Sequence, residues 1–146
     1  MAFSPHAAKT VLQSPTTKSL LPLEITDKFR FGWELVEQLP PTYSRVGAVL
    51  EEIIPFFFRS TRQHLGLETV AFQAVLPILM LGEPMLLEWE QMAGDIETAG
   101  DLTRGATIFD RRAQRGWRDN MEVASKVDLR AAKDAFFNCL KYAAAH

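Results

Sequence analysis

The sequence predicts an α+β fold that is mostly helical and contains a small sheet. More segments show helical spacing of apolar residues than show strand patterning, and the segments typical of strands are short. The chain has 146 residues, of which 47% are hydrophobic and 23% charged, so it has enough apolar material for a core. We therefore expect one domain over residues 1–146.

The first predicted element is a helix that begins at Ser4 and Pro5 and extends to about Gln13. A serine at the N-cap accepts a hydrogen bond from a free backbone N–H. A proline at the first helical position costs no hydrogen bond, because the N–H at that position has no partner within the helix. The segment 19–26 is expected to form a strand. Pro22 argues against a central position that is hydrogen-bonded on both sides.

Three helices are predicted in the middle of the chain. The first is a short helix over 32–39, and the second begins near Thr42 with an apolar face formed by Val46, Val49, Leu50, Ile53 and Ile54. Pro55 is expected to kink or split this second helix, and Gly66 to end it. The third helix is expected over about 67–81.

The C-terminal part predicts strands followed by one helix. The segments 92–98, 102–110 and 121–127 are short and are bounded by glycine, aspartate and asparagine, as is typical of strands. Asp128 is expected to cap the last helix. Its apolar stripe consists of Leu129, Ala132, Phe136, Phe137, Leu140 and Ala143.

Four segments carry recognisable motifs in a fixed order: Ser4-Pro5-His6-Ala7-Ala8, residues 20–26, residues 73–84 and residues 102–128. The most distinctive residues lie in the fourth segment: Thr103, Arg104, Gly105, Asp110 and Arg111. In this order and spacing, the chain resembles the C-terminal half of the inosine/uridine-preferring nucleoside hydrolases. The resemblance implies that the small sheet and the helices correspond to that half of the family's α/β fold.

The resemblance also raises the question of calcium. Members of the family cleave the N-glycosidic bond of ribonucleosides with a calcium ion, which takes about six to eight oxygen ligands. The family supplies these largely from an aspartate-rich N-terminal motif and from the aspartate of a His-Asp-Pro motif. The aspartate-rich motif does not occur in this sequence, which we expect to begin after the point where that motif would end.

The His-Asp-Pro segment has counterparts in this chain, but they are changed. In the register set by the neighbouring prolines, Gln73 stands for the histidine and Ala74 for the metal-binding aspartate; another register places Val70 and Ala71 there. A methyl group cannot bind calcium, and glutamine cannot act as a general acid. We therefore expect a remnant pocket at Gln73 and Ala74, no cofactor or metal, and no calcium-dependent nucleosidase activity in this chain alone.

The partial resemblance also predicts an interface. Without the family's other half, the apolar surfaces of residues 19–26 and 70–81 would be exposed, and large exposed apolar patches mark interaction sites. We expect a homo-oligomer, in particular a dimer, or a complex with a full-length nucleoside-hydrolase-like chain. The residues expected near this interface are Leu21, Leu23, Val75, Ile78 and Met80.

Composition limits the other partners. The net charge of −2 favours neither nucleic acid nor an anionic membrane, although Arg104, Arg111, Arg112, Arg115 and Arg118 with Trp117 leave a phosphate-binding patch as a minor alternative. The apolar run 70–81 is shorter than the roughly 20 residues that span a bilayer. The single Cys139 cannot form an internal disulfide, and the N-terminus lacks a signal-peptide pattern, which predicts a cytoplasmic protein.

Three functional interpretations stay open on these grounds. The first is a degenerate nucleoside-hydrolase-like protein, a pseudoenzyme that acts by association. The second is a divergent metal-free enzyme that acts on a small molecule, for instance in a biosynthetic pathway, through the remnant pocket. The third is a shortened, nonfunctional product, which the well-capped helices disfavour because they indicate a chain that still folds.

Overall fold

The computed structural model describes residues 4–112 and 116–145. The fold is α+β, as the sequence predicts. The chain forms two compact units, the first from Met1–Pro22 and Glu88–Ser125, and the second from Leu23–Leu87 and Lys126–His146. The single domain over 1–146 stays a prediction. No helix among the described residues is long and apolar enough to cross a membrane.

The helices and strands of the described residues follow one another in this order: α1 (Pro5–Gln13), β1 (Ser19–Leu20), α2 (Leu23–Thr26), β2 (Arg30–Phe31), α3 (Glu34–Glu37), α4 (Arg45–Leu65), β3 (Val70–Ala71), α5 (Val75–Gly82), a 3-10 turn (Pro84–Leu86), β4 (Leu87–Met92), β5 (Gly94–Ile96), β6 (Thr107–Phe109), β7 (Met121–Val127) and α6 (Leu129–Ala145).

Two small sheets organise the first unit. One has the strand order β1-β7-β4, with β1 parallel to β7 and Ser19 opposite Glu122. The other pairs β5 and β6 antiparallel, with Gly94 opposite Phe109. Helix α1 packs on β5. The buried core of this unit consists of Leu12, Met92, Ile96, Met121 and Val123.

Asn120 joins three parts of the first unit. Its side-chain amide donates hydrogen bonds to the carbonyl oxygens of Leu12 (3.2 Å) and Gly94 (3.0 Å), and its Oδ1 accepts one from the N–H of Gly94 (3.0 Å). These bonds fix the end of α1 beside β5. Because one side chain satisfies backbone groups from two elements, its loss would leave polar groups without partners.

An aromatic cluster forms the centre of the second unit. Phe29, Phe31, Phe72, Phe136 and Phe137 pack with ring centroids separated by 5.0 to 6.1 Å, mostly in edge-to-face or tilted arrangements. Strands β2 and β3 pair antiparallel beside it, with Arg30 opposite Ala71. Helix α6 contacts both α4 and α5. Burial of the rings of Phe29, Phe31 and Phe136 contributes to the stability of this unit.

Helix α4 differs from its prediction in two respects. Its N-cap is Ser44 rather than Thr42, because the Ser44 hydroxyl accepts a hydrogen bond of 2.9 Å from the N–H of Gly47. The helix is not split at Pro55 and continues to Leu65. It ends at Gly66, as predicted, and this glycine has a φ of 66° in the left-handed region.

Two predicted segments proved to be shorter than expected. The strand predicted over 19–26 covers only Ser19–Leu20, because Pro22 has no N–H for a sheet and the short helix α2 follows it. The helix predicted over 67–81 begins only at Val75. Val70 and Ala71 before it form β3, whose backbone pairs with β2.

The C-terminal predictions match more closely. Strand β7 and helix α6 occupy the predicted residues, and the Asp128 carboxylate accepts a hydrogen bond of 3.0 Å from the N–H of Ala131 as the cap. Strands β5 and β6 are short parts of the segments 92–98 and 102–110. Helix α1 also has the predicted bounds, although the Ser4 side chain makes no capping hydrogen bond.

Candidate functional site

Gln73 and Ala74 are exposed in the turn between β3 and α5. The turn is closed by a backbone hydrogen bond of 3.0 Å from the N–H of Val75 to the carbonyl oxygen of Phe72. The Gln73 side chain is held in place, because its Nε2 donates a hydrogen bond of 3.1 Å to Oδ1 of Asp27. The turn therefore exposes the side-chain amide of Gln73, which is already hydrogen-bonded to the Asp27 carboxylate, and the methyl group of Ala74.

Asp27 follows α2 and accepts several donors. Arg30 donates from Nη2 to Oδ1 at 2.6 Å and from Nε to Oδ2 at 3.3 Å, and its Nη1 lies 3.5 Å from Oγ1 of Thr69. We refer to Asp27, Arg30 and Gln73 as the Asp27 cluster. Asp27 and Arg30 are three residues apart, at the two ends of the connection between α2 and β2, and their side chains form an ion pair.

The charge of Arg30 sets the protonation state of this cluster. The hydrogen bond from Arg30 is the main reason that the pKa of the Asp27 carboxyl lies below its ordinary value of 3.8. Partial loss of water acts in the opposite direction, and the hydrogen bond from Gln73 lowers the pKa again. Asp27 is therefore ionised at neutral pH, and both of its oxygens already accept donors.

These residues do not fit the calcium ion that the family resemblance implies. Ala74 offers no ligand atom, and the Asp27 carboxylate is paired with the guanidinium of Arg30, whose positive charge opposes a nearby cation. Elsewhere in residues 4–112 and 116–145, no group of three or more His, Cys, Asp or Glu side chains is placed to hold a metal ion.

The residues of the Thr-Arg-Gly motif lie in the first unit, in the segment that leads into β6 and out of it. Thr103 and Arg104 are exposed in a turn, and Gly105 adopts a φ of 88° while its N–H donates to the carbonyl oxygen of Glu97 at 2.7 Å. Only a glycine adopts this φ without strain. Arg111 is exposed after the strand.

Asp110 of the same motif is the buried anchor of a loop. Its side chain is 2% exposed, and Arg112 donates to both carboxylate oxygens at 2.7 Å. The N–H groups of Gly116 (2.9 Å) and Trp117 (3.3 Å) donate to Oδ2. The Arg112 guanidinium holds the pKa of Asp110 far below its ordinary value of 3.8, against the effect of burial. This pattern is that of a structural anchor.

One arginine of the basic segment that was considered from the sequence as a phosphate-binding patch is paired with Asp110. Arg112 is that residue, although its side chain is 65% exposed; Arg104, Arg111 and Arg118 are also exposed. Arg115 lies outside the described residues. A phosphate-binding patch here would therefore rest on the other three exposed arginines among the described residues.

The predicted interface residues differ in exposure. Leu23 in α2 and Ile78 in α5 are 62% and 68% exposed. Leu21, Val75 and Met80 are half-buried. Leu81 and Met85, which the sequence reasoning did not single out, are 79% and 93% exposed. Apolar side chains of the second unit are thus presented to solvent along and after α5.

Comparison with known proteins identifies the family. A sequence model described as inosine-uridine preferring nucleoside hydrolase matches residues 1–134. The chain belongs to this family. The resemblance drawn from the four sequence motifs is thereby confirmed.

Individual relatives of this nucleoside hydrolase family member are distant. The pyrimidine-specific ribonucleoside hydrolase RihA of Salmonella choleraesuis is 25% identical over 139 residues, which are 94% of this chain and 45% of that protein. A probable ribonucleoside hydrolase of Dictyostelium discoideum is 21% identical over 142 residues, which are 93% of this chain and 42% of that protein. The chain therefore spans less than half the length of these relatives.

Solved structures agree with this fold. A purine-preferring ribonucleoside hydrolase from Gardnerella vaginalis superposes with a TM-score of 0.83 at 20% identity, covering 96% of this chain and 44% of that one. A plant nucleoside hydrolase superposes with a TM-score of 0.80 at 17% identity, covering 97% and 46%. At this identity the likeness shows the fold alone.

Gln73 was predicted from the sequence as a site residue, whereas Asp27, which accepts its hydrogen bond, and Arg30, which pairs with Asp27, were not. The only signal for the pair in the sequence is that opposite charges stand three residues apart. That signal is weak by itself. The bond from Gln73 to Asp27 joins residues 46 positions apart, and only the fold brings them together.

Proposed function

We propose that this chain is a nucleoside-hydrolase-like protein that does not hydrolyse nucleosides by itself and acts by association. Its partner is a second copy or a full-length nucleoside-hydrolase-like chain. The observation that carries the proposal is the bond between Gln73 and Asp27. In the register set by the neighbouring prolines, Gln73 takes the place of the family's histidine and Ala74 that of the metal-binding aspartate.

The chemistry of the cluster supports the absence of hydrolysis. Proton transfer to a leaving base needs an acid whose pKa is near the working pH, and an amide N–H is far from that range. Asp27 is a weak base because its pKa is lowered by Arg30. The same argument disfavours metal-free chemistry on a small molecule at this position, because neither Asp27 nor Gln73 is suited to donate or take a proton.

The exposed apolar side chains support association. Ile78 and Leu81 are three residues apart on α5 and are both more than half exposed, so they share one side of this helix. Met85, also exposed, lies in the 3-10 turn that follows α5. Together these side chains support an apolar interaction surface. Burying them against another chain would remove apolar area from water.

The names of the relatives suggest the setting of such an assembly. They describe ribonucleoside hydrolases with pyrimidine or purine preference. We infer that an assembly containing this chain handles ribonucleosides, with the hydrolysis performed by a partner that carries the calcium ligands. A copy-to-copy dimer would instead hold the chain in a form that binds without cleaving.

The test of this proposal is ribose release from inosine and uridine by the purified chain in buffer with calcium. The pyrimidine-specific RihA from Salmonella choleraesuis serves as the positive control for uridine, and the purine-preferring ribonucleoside hydrolase from Gardnerella vaginalis serves as the positive control for inosine. We expect no release above the buffer rate from the chain alone. Ribose release that scales with the concentration of the chain, and that survives a second purification, would contradict the proposal.

A second arm tests association with a full-length relative. The chain is mixed with RihA, and the mixture is separated by size with light-scattering detection. The proposal expects either a complex of the two proteins or a homodimer of this chain. A chain that stays monomeric both alone and in the mixture would contradict the associative part, independently of the hydrolysis result.

A further inference from the structure

A pocket beside α3 and α4 in the second unit combines aromatic and basic side chains. Its volume is 380 Å³, which lies within the range of small-molecule pockets. It shares no residue with the Asp27 cluster. Its lining consists of Trp33, Phe58, Arg59, Arg62, Leu67 and Glu68.

Two rings form the apolar part of this pocket. Phe58 is a buried residue of α4 with 5% exposure, whereas Trp33, just before α3, is 50% exposed. Their centroids are 5.5 Å apart, and their planes are inclined by 71°. The buried Phe58 supports the indole edge-on and leaves part of the indole surface in contact with water. A planar ring stacked on Trp33 would bury that surface.

The charged side chains of the pocket lining are Arg59, Arg62 and Glu68. Arg59 and Arg62 are three residues apart on α4, so their side chains extend from neighbouring positions on the helix surface. Arg62 Nε lies 3.3 Å from Glu68 Oε1, and these two side chains are 72% and 74% exposed. An ion pair this exposed contributes little stability, so another carboxylate can replace Glu68 at low cost.

We infer that this pocket binds a small planar aromatic carboxylate. The ring stacks on Trp33 above Phe58, and the carboxylate takes the place of Glu68 on Arg62 while Arg59 adds a second donor. Arginine is suited to this role because its planar fork matches a carboxylate. The Glu68 carboxylate, already paired with Arg62, marks the position of the ligand's charged group. This ligand site is independent of the associative function proposed above.

The test uses 2-naphthoate as the probe, with binding measured by isothermal titration calorimetry. Two controls separate its features: 2-naphthalenemethanol has the same rings without the charge, and cyclohexanecarboxylate has the charge without a planar ring. We expect 2-naphthoate to bind about tenfold more tightly than either control, since a charge-assisted hydrogen bond accounts for about one order of magnitude. Equal affinity for 2-naphthoate and the neutral alcohol, or no binding of 2-naphthoate, would overturn the inference.

Substitutions then assign the binding to this pocket. Arg59→Gln should weaken 2-naphthoate binding about tenfold, whereas Arg45→Gln, at the exposed start of the same helix, should leave it unchanged. Trp33→Ala should weaken binding, and Trp33→Phe should retain part of it because a ring remains.

Glu68→Gln is expected to change the affinity for 2-naphthoate in the opposite direction to Arg59→Gln, and a loss of folding could not produce this result. Removal of the competing carboxylate should strengthen 2-naphthoate binding several-fold. An affinity that falls in Glu68→Gln, or an Arg45→Gln effect equal to that of Arg59→Gln, would place the binding elsewhere and overturn the inference.

Discussion

The side-chain amide of Gln73 donates a hydrogen bond of 3.1 Å to the carboxylate of Asp27, which lies 46 residues earlier in the chain. The bond ties the turn before α5 to the residue after α2. In the register set by the neighbouring prolines, this neutral amide would take the position at which the resemblance implies an acid. The electrostatics of this position can be read directly with a titrating probe.

Gln73→His provides that probe. The imidazole would face the ionised Asp27 carboxylate, which favours the charged form, so its pKa should rise above the ordinary value of about 6.5. We expect a rise of up to about one unit because the site is exposed and Arg30 offsets part of the attraction. The measurement is an NMR titration of the added imidazole. The matched control is Gln73→His combined with Asp27→Asn, and an identical pKa in both variants would contradict the assigned contact.

Asp110→Asn tests the buried anchor of the first unit. The substitution keeps the shape of the side chain but removes the charge that two Arg112 nitrogens bind. The folded pKa of Asp110 is lowered, so its contribution to stability is full above the ordinary value of 3.8 and is lost as the pH falls below it. We therefore expect the variant to unfold at lower urea than the wild type at pH 7, and the difference to shrink below pH 3.8. The exposed Asp101→Asn is the control and should show no such pattern.

Gly66→Ala tests the end of α4. Gly66 has a φ of 66°, and an added Cβ would meet no atom within 4 Å, so its cost arises from the backbone alone. We expect a loss of about 1–2 kcal/mol in the free energy of unfolding. Gly82→Ala is a matched control, because its surroundings are equally open but no left-handed φ is required there. It should be neutral or slightly stabilising, and equal losses in the two variants would contradict the explanation.

Ile78→Asp tests the proposed interface. Ile78 is 68% exposed on α5, so an aspartate there leaves the monomer intact but places a charge in the contact. We expect the dissociation constant of the dimer to rise at least about tenfold, as for a central interface residue. Val11→Asp is the control, with 62% exposure on α1 and no place in the predicted interface. Sedimentation velocity compares them, and an equal shift in both variants would argue against α5.

Local patterns predicted the elements whose signals lie within a few residues. Pro5 at the start of α1, Gly66 at the end of α4 and Asp128 before α6 each act on the adjacent backbone, and all three lie at the predicted boundaries. Strand β3 was missed because two residues carry no periodicity. Their state is fixed by pairing with β2, some 40 residues earlier, as in Arg30 opposite Ala71.

In the candidate site too, some features follow from the local sequence and others depend on contacts between distant residues. The prediction that Gln73 and Ala74 stand for an acid and a metal ligand needed only the sequence. The orientation of Gln73 toward Asp27 could not, because it depends on how the β2–β3 pair places two distant turns side by side. The pocket at Trp33 also depends on tertiary packing, since Phe58 and Trp33 are 25 residues apart in the sequence.

The solution mass of the purified chain by light scattering tests the associative function most directly. It should be measured over a range of concentrations, with and without calcium. The account predicts a dimer of twice the chain mass of 16.5 kDa, unchanged by calcium, because the exposed apolar residues of α5 and not a metal would hold it together. A chain that stays a folded monomer of 16.5 kDa at every concentration, both alone and mixed with RihA, would contradict it.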